Sequence, residues 1–212
     1  MGLVVHLPTF VLTADLTESI RRASVDEMRR SMDLAVEMAA EKAVMHPAAI
    51  TGLGPLVMDL AMGYSRTSLE ALLDHARSIG LRICLENMFP RYKSFFEPDH
   101  FAGLLSDRPD LELTLDTGHA HIDGGNRRIL SFIRRFGGRI GHVHASDNKG
   151  KRDEHLPLGK GRIGFSRIVE ALVDAGYRET ATLEVFSEDR RRLAASRDRR
   201  KRLFAASREG GR

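Results

Sequence analysis

Six metal-capable side chains, His6, His46, Glu86, Asp116, His144 and Glu184, follow one another at intervals of 40, 40, 30, 28 and 40 residues. Each interval accommodates one β-strand and one helix. Each residue also closes, or nearly closes, an apolar run, such as Leu3-Val4-Val5-His6, Ile83-Cys84-Leu85-Glu86 or Ala181-Thr182-Leu183-Glu184. Strands of a parallel β/α protein point the same way, so residues at their ends gather on one face. Three imidazoles and three carboxylates brought together there make a divalent-metal site.

The segments between these runs carry helical periodicity. Apolar residues repeat at helical spacing over 17–40 and over 67–79, the latter stopping at Gly80, and again over 165–175 before Gly176. Further helices are expected at 98–106, 125–136 and from 187 onward. Six strands and six helices in strict alternation imply an α/β chain with a parallel sheet buried on both faces. Ligands spread over every strand end favour a barrel, because an open sheet concentrates its site at one switch point.

At 212 residues, with 42% apolar and 29% charged content, the chain fits one soluble globular domain. The single cysteine, Cys84, excludes an internal disulfide and fits a reducing, cytoplasmic compartment. No segment has the apolar length to cross a bilayer, so no membrane partner is expected. The net charge of +4 conceals a division: residues 189–212 carry ten Arg or Lys against three acids, which leaves the rest at −3. The chain is therefore read as a barrel domain over 1–188 and a basic terminal helix or tail over 189–212. Such a tail could touch nucleic acid, but a solvated helix face is the commoner meaning.

The densest chemistry lies in Gly141-His142-Val143-His144-Ala145-Ser146-Asp147-Asn148 and the following Asp153-Glu154-His155-Leu156-Pro157-Leu158-Gly159-Lys160-Gly161. His142 and His144 alternate on a strand and so face the same side. In Leu115-Asp116-Thr117-Gly118-His119 a carboxylate at a strand end is followed three residues later by an imidazole, through a turn that Gly118 makes easy. Glu86 is followed by Asn87, an amide able to support a ligand or touch substrate. Asp147 and Asn148 either line a pocket or shape their loop. There is no P-loop, no glycine-rich dinucleotide turn and no serine nucleophile elbow.

With these motifs in view, the chain resembles the xylose isomerase-like barrel superfamily, which includes sugar isomerases and epimerases and the endonuclease IV nucleases. The resemblance implies a TIM (β/α)8-type barrel in which His6 falls on the third strand, so that the first two βα units are lacking. Two open strand edges and impaired stability of the isolated chain would follow. On the endonuclease IV pattern nine residues hold three zinc ions. His6, His46 and Glu86 would hold one, Glu86, Asp116, His144 and Glu184 a second, and His119, Asp153 and His155 a third. Isomerase and epimerase relatives keep Glu86, Asp116, His144 and Glu184 around one Mn, Mg, Co or Zn ion, so one to three ions are expected.

Two enzymatic readings follow. In the first, a metal-dependent isomerase or epimerase of a sugar or sugar phosphate, Glu86 and Glu184 are the catalytic pair, exchanging a proton next to a carbonyl polarised by metal. Asn87, His142, Asp147 and Lys160 are then the expected substrate contacts, and a small molecule is the partner. In the second, a zinc-dependent abasic-site phosphodiesterase, nucleic acid becomes the partner. The acidic body and short strand-end loops argue against a DNA-gripping surface. A metal-binding scaffold without activity is the third reading, and self-association is left open.

Overall fold

The computed structural model describes residues 2–210. Six strands, β1 (Val4–His6), β2 (Lys42–Met45), β3 (Ile83–Glu86), β4 (Glu112–Asp116), β5 (Ile140–Ala145) and β6 (Thr180–Leu183), form one sheet in sequence order. Every neighbouring pair is parallel. The sheet curls into part of a (β/α)8-type barrel, with β1 and β6 as its two ends. Strands β2 and β3 are buried along their whole length, whereas β1 and β6 are only partly covered, as open edges should be.

Seven α-helices accompany the strands: α1 (Glu18–Glu37), α2 (Met58–Ser78), α3 (Asp99–Asp107), α4 (Thr117–His121), α5 (Gly125–Phe136), α6 (Phe165–Asp174) and α7 (Arg190–Gly210). The seventh, beyond the six expected, is the short α4, which occupies the Asp116–His119 turn. Helix α2 also starts nine residues before the periodicity over 67–79 suggests. Gly63, Ser65 and Thr67 weaken the helical signal there. Among the described residues no helix is long and apolar enough to cross a membrane.

Local sequence explains where the helices stop. In α6, Phe165, Ile168, Val169 and Leu172 are buried at i, i+3, i+4 and i+7, one continuous stripe. The helix ends at Gly176 with φ +76°, and the Tyr177 N–H turns back to the Leu172 carbonyl. Gly80, with φ +70°, ends α2 in the same way, through Leu81 N–H to Ala76 O. A left-handed residue closing a helix favours glycine, which has no Cβ to clash.

Strand residues alternate between two buried environments. Ala43, Met45, Ile83, Leu85, Leu113, Leu115, Val143 and Ala145 join the helix residues Phe101, Ile129, Phe132, Ile133 and Ile168 in one apolar core. The alternate residues face a polar lumen. Lys42, 1% exposed, donates from Nζ to the Gly141 carbonyl at 2.7 Å and to Glu179 at 2.5 Å. The Cys84 thiol faces Glu112, which the exposed Arg82 pairs with from outside the strand at 2.6 Å. Both ring nitrogens of His142 meet hydroxyls, Thr180 at 2.7 Å and Thr182 at 3.0 Å. Buried charge is tolerable only when paired and hydrogen-bonded, as here.

Because stability rests on the helix-facing layer, truncating its centre should be costly. Phe132, 0% exposed and edge-on to Phe101, is the clearest case. Phe132→Ala is expected to lower unfolding free energy by about 3–5 kcal/mol, measured by urea denaturation. A loss under about 1 kcal/mol would mean that the core collapses around the gap.

Candidate metal centre

The sheet delivers its six strand-end residues to one spot. His6 and Glu86 end β1 and β3, His46 follows β2, Asp116 ends β4, His144 lies opposite it in β5, and Glu184 follows β6. Glu86 sits at the centre, 1% exposed. Its Oε2 faces His6 Nε2 at 3.4 Å and His46 Nε2 at 3.2 Å. Its Oε1 faces His119 Nδ1 at 3.2 Å and His144 Nδ1 at 3.3 Å. His144 Nδ1 also lies 3.2 Å from Glu184 Oε1 and 3.7 Å from Asp116 Oδ2.

A further group continues from this one. Asp153 Oδ2 lies 3.3 Å from His119 Nε2 and 2.9 Å from His155 Nε2. All nine residues expected from sequence therefore lie in one continuous cluster. Three sets within it have donor atoms all within 4.8 Å of one another: His6, Glu86 and His144; Glu86, Asp116 and His119; and Asp116, His144 and Glu184.

Three observations make the cluster suited to cations. Ligands at about 2.0–2.2 Å in a tetrahedron stand about 3.4 Å apart, near the spacing seen around Glu86. Both oxygens of Glu86, Asp116 Oδ2, Asp153 Oδ1, His46 Nδ1 and His144 Nδ1 are buried without a hydrogen-bond partner. Leaving such atoms unsatisfied costs about 1–3 kcal/mol each, more for a charge. Finally, three histidines are oriented by their second nitrogen. His6 Nδ1–H donates to Leu7 O at 2.8 Å, His119 Nδ1–H to Asn87 O at 3.0 Å and His155 Nδ1–H to Glu184 O at 2.8 Å. Each Nε2 lone pair is thereby turned to a carboxylate, the arrangement that metal-ligating imidazoles adopt.

Helix α4 places His119. The Asp116 carboxylate accepts the His119 backbone N–H at 2.7 Å and caps the helix, so one residue positions two candidate ligands. Gly118 is required for another reason than easy turning: its φ is not positive, but a Cβ there would stand 2.6 Å from Ser146 Oγ. The glycine lets α4 lie directly against the end of β5.

The electrostatics follow from burial and crowding. Burial disfavours the Glu86 anion, but the charge of His144 and the close approach of the His119, His144 and His46 rings outweigh it and hold Glu86 well below the usual carboxylate range. Burial, together with the Glu86 and Glu184 charges, pushes Asp116 up to about 7 against the pull of His119 and His144. His144 is lowered by burial but raised more by the surrounding carboxylates, to about 9. In the lumen, burial next to His144 and Lys42 takes His142 down to about 3.

The four expected substrate contacts lie in different settings. The Asn87 side chain braces the end of β4, accepting Asp116 N–H at 2.8 Å and donating to Asp116 O at 3.1 Å. His142 lies two residues below His144, bound to the two threonines. Asp147 is 0% exposed and accepts the N–H groups of Asn148, Gly159 and Ile163, holding the loop. Lys160 is exposed on that loop. Sequence reading missed the aromatic rim. Phe89 packs on His119, Tyr92 lies edge-on to His46, and Phe186 stacks on His155 at 4.1 Å. Lone aromatics in irregular loops have no periodicity to reveal them. A cleft lined by Pro8, Thr9, Pro47 and Tyr92 runs beside His46.

Comparison with known proteins agrees with this architecture. The family model described as a xylose isomerase-like TIM barrel matches residues 1–206. An uncharacterised protein of Methanocaldococcus jannaschii, MJ1311, is 31% identical over 86% of this chain and 64% of its own length. Fructoselysine 3-epimerase of Escherichia coli O157:H7 is 26% identical over 79% of this chain and 61% of its own. A probable endonuclease 4 of Haloquadratum walsbyi is 27% identical over 77% and 62%. The chain thus spans somewhat less than two thirds of the length of these curated relatives. The crystal structure of a D-tagatose 3-epimerase-like protein, 28% identical, superposes with a TM-score of 0.88 over 100% of this chain and 80% of that one. With its nine candidate ligands gathered at the strand ends of one curled parallel sheet and in the adjoining α4 and β5–α6 loop, this chain belongs to the xylose isomerase-like TIM barrel family.

Proposed function

We propose that the chain is a divalent-metal-dependent isomerase or epimerase of a sugar or sugar phosphate. The observation that carries this reading is the convergence of two carboxylates on His144 Nδ1, Glu86 at 3.3 Å and Glu184 at 3.2 Å, the first sealed and the second 21% exposed. A bound Zn, Mn, Mg or Co ion would polarise a substrate carbonyl and acidify the adjacent C–H. Glu184, the more exposed of the two carboxylates, is the side chain placed to take that proton and return it. Glu86 has each oxygen directed at two imidazoles, so its main part is to hold cations, with any proton transfer secondary. His6, His46, Asp116, His119, His144, Asp153 and His155 complete the ligand set. Asn87 and His142 keep Asp116 and the β5–β6 wall in place, Asp147 shapes the loop, and Lys160 is the candidate contact for a phosphate. The named epimerase relatives support a small, hydroxyl-rich substrate.

A specific observation favours a second reading. Isomerisation at one ion held by Glu86, Asp116, His144 and Glu184 leaves His6, His46, His119, Asp153 and His155 unused, whereas a three-ion centre would use all nine residues. Such a centre suits phosphodiester cleavage, with abasic DNA as substrate. The probable endonuclease 4 relative and the basic α7 support that alternative.

The raised imidazoles give a direct test of cation binding. At pH 7 a metal-free His144 with its pKa at about 9 carries a proton that a metal must displace. Zinc titration at pH 7 should therefore release protons, and apparent affinity should rise as pH increases towards 9. Calorimetry in two buffers of different ionisation enthalpy checks this; zero net proton release would exclude His144 as a ligand. Elemental analysis should find two or three ions per chain, and at most one would remove the bridging role of Glu86.

Replacing the two carboxylates should separate their roles. Glu184→Gln is expected to lower exchange of substrate C–H with solvent deuterium by at least about 100-fold while most of the metal remains. Glu86→Gln should lose metal and activity together. Sugar and sugar-phosphate epimerisation and abasic-duplex cleavage are assayed on one preparation. Cleavage without epimerisation would exchange the two readings, and near-wild-type turnover in Glu184→Gln would sink the first.

A further inference from the structure

Asp153 and His155 belong to no strand. They lie in the loop joining β5 to α6, and His155 has φ +45°, a left-handed backbone unusual for a residue with a side chain. Such a loop keeps its shape only if its surroundings hold it there. Three contacts do so. From within, Asp147 exchanges both backbone hydrogen bonds with Leu156, at 2.9 and 2.8 Å, and its carboxylate takes the Gly159 N–H at 2.8 Å. At the β6 exit, the Phe186 N–H reaches His155 O at 3.1 Å.

The third contact comes from α7. Ser196, 2% exposed, accepts the Leu158 N–H on its hydroxyl at 3.2 Å and donates to Arg192 O at 2.9 Å. One turn further on, the Arg199 guanidinium lies over Gly159, so close that a Cβ at Gly159 would stand 2.9 Å from its Cζ. Gly159 is left-handed as well, with φ +86°. Arg200 donates to the Ala181 carbonyl of the open edge strand β6 at 2.9 Å, and Leu203 and Phe204 pack against the core. The helix is thus tied to β6 on one side and to the ligand-bearing loop on the other.

We infer that α7 is a latch for the His119–Asp153–His155 group, with Ser196 and Arg199 as positioning residues that fix the loop without touching a ligand. The inference rests on the multi-ion reading of the centre. It assigns the basic C-terminal segment a task in metal binding that its composition does not suggest. The hydroxyl of Ser196 satisfies a buried backbone N–H five residues after Asp153. Without it, that N–H has no partner and the loop moves to find one. Displacing Asp153 and His155 weakens one ion, while the ligands of the others, all at strand ends, stay in place.

The test uses the full chain loaded with zinc. Stepwise affinities are measured against a competing chelator, together with amide hydrogen exchange over 153–163. Ser196→Ala and Arg199→Ala should each weaken one ion by about 10- to 100-fold, leave the remaining ion or ions at wild-type affinity and speed exchange at Leu158 and Gly159. Ser196→Thr, which keeps the hydroxyl, should restore the lost affinity. Adding Ser196→Ala to Asp153→Ala, which already lacks that ion, should weaken nothing further.

Wild-type affinity for every ion in both Ser196→Ala and Arg199→Ala would overturn the latch. So would an equal weakening of all ions, which marks general destabilisation. If Ser196→Ala does not fold, the exposed Arg199→Ala variant decides the matter by the same measurements. An unchanged zinc count in Asp153→Ala is a different failure. It would show that the third group holds no ion, and the multi-ion reading would fall before the latch was in question.

Discussion

A carboxylate surrounded by four imidazoles organises this molecule. Glu86 is withdrawn from water, and each of its oxygens faces two ring nitrogens at a spacing longer than a good hydrogen bond. That arrangement is electrostatically favourable, yet it leaves hydrogen-bonding capacity unmet on both oxygens. Neighbouring groups share the consequences: Asp116 is driven towards its neutral form, and His144 is driven towards its charged one. Glu86 reaches this position only because β3 lies inside the sheet, with β2 and β4 carrying their own ligands alongside.

The parts legible in the sequence were those written as repeats. Six strand ends at βα intervals predicted the order of the sheet and the meeting point of its ligands. Phe165, Ile168, Val169 and Leu172, followed by Gly176, marked α6 within a residue. Where the signal was weak, the boundaries moved, as in α2, whose first turns contain Gly63 and Ser65. The role of Gly118 was misread for a physical reason. A glycine needed for close approach and one needed for a left-handed turn look alike until the neighbouring Ser146 is in place.

The loop contacts were the least legible. Nothing in the string of residues connects Ser196 with Leu158, 38 positions away, or Arg199 with Gly159. Asp147 drew attention as an acid beside a histidine strand, and its oxygens proved to be occupied by backbone donors. Polar residues that brace a loop and polar residues that meet a ligand share one composition, and only geometry separates them. The basic run at the C-terminus was similarly ambiguous: its charge was evident, its buried serine was not.

The polar lumen has a consequence for how this chain can vary. Along each strand, one set of residues answers to the helices and the other to the lumen, and the two scarcely touch. Substitutions on the first face are judged by volume, and those on the second by hydrogen-bonding capacity and charge. Tolerance should therefore alternate with a period of two, and the criterion of acceptance should change at each step. Gly141 is where the two regimes meet, because any side chain there would run into both Glu112 and Cys84. A larger residue can enter position 141 only after a smaller one has replaced its neighbours, so the order of substitutions matters as much as their identity.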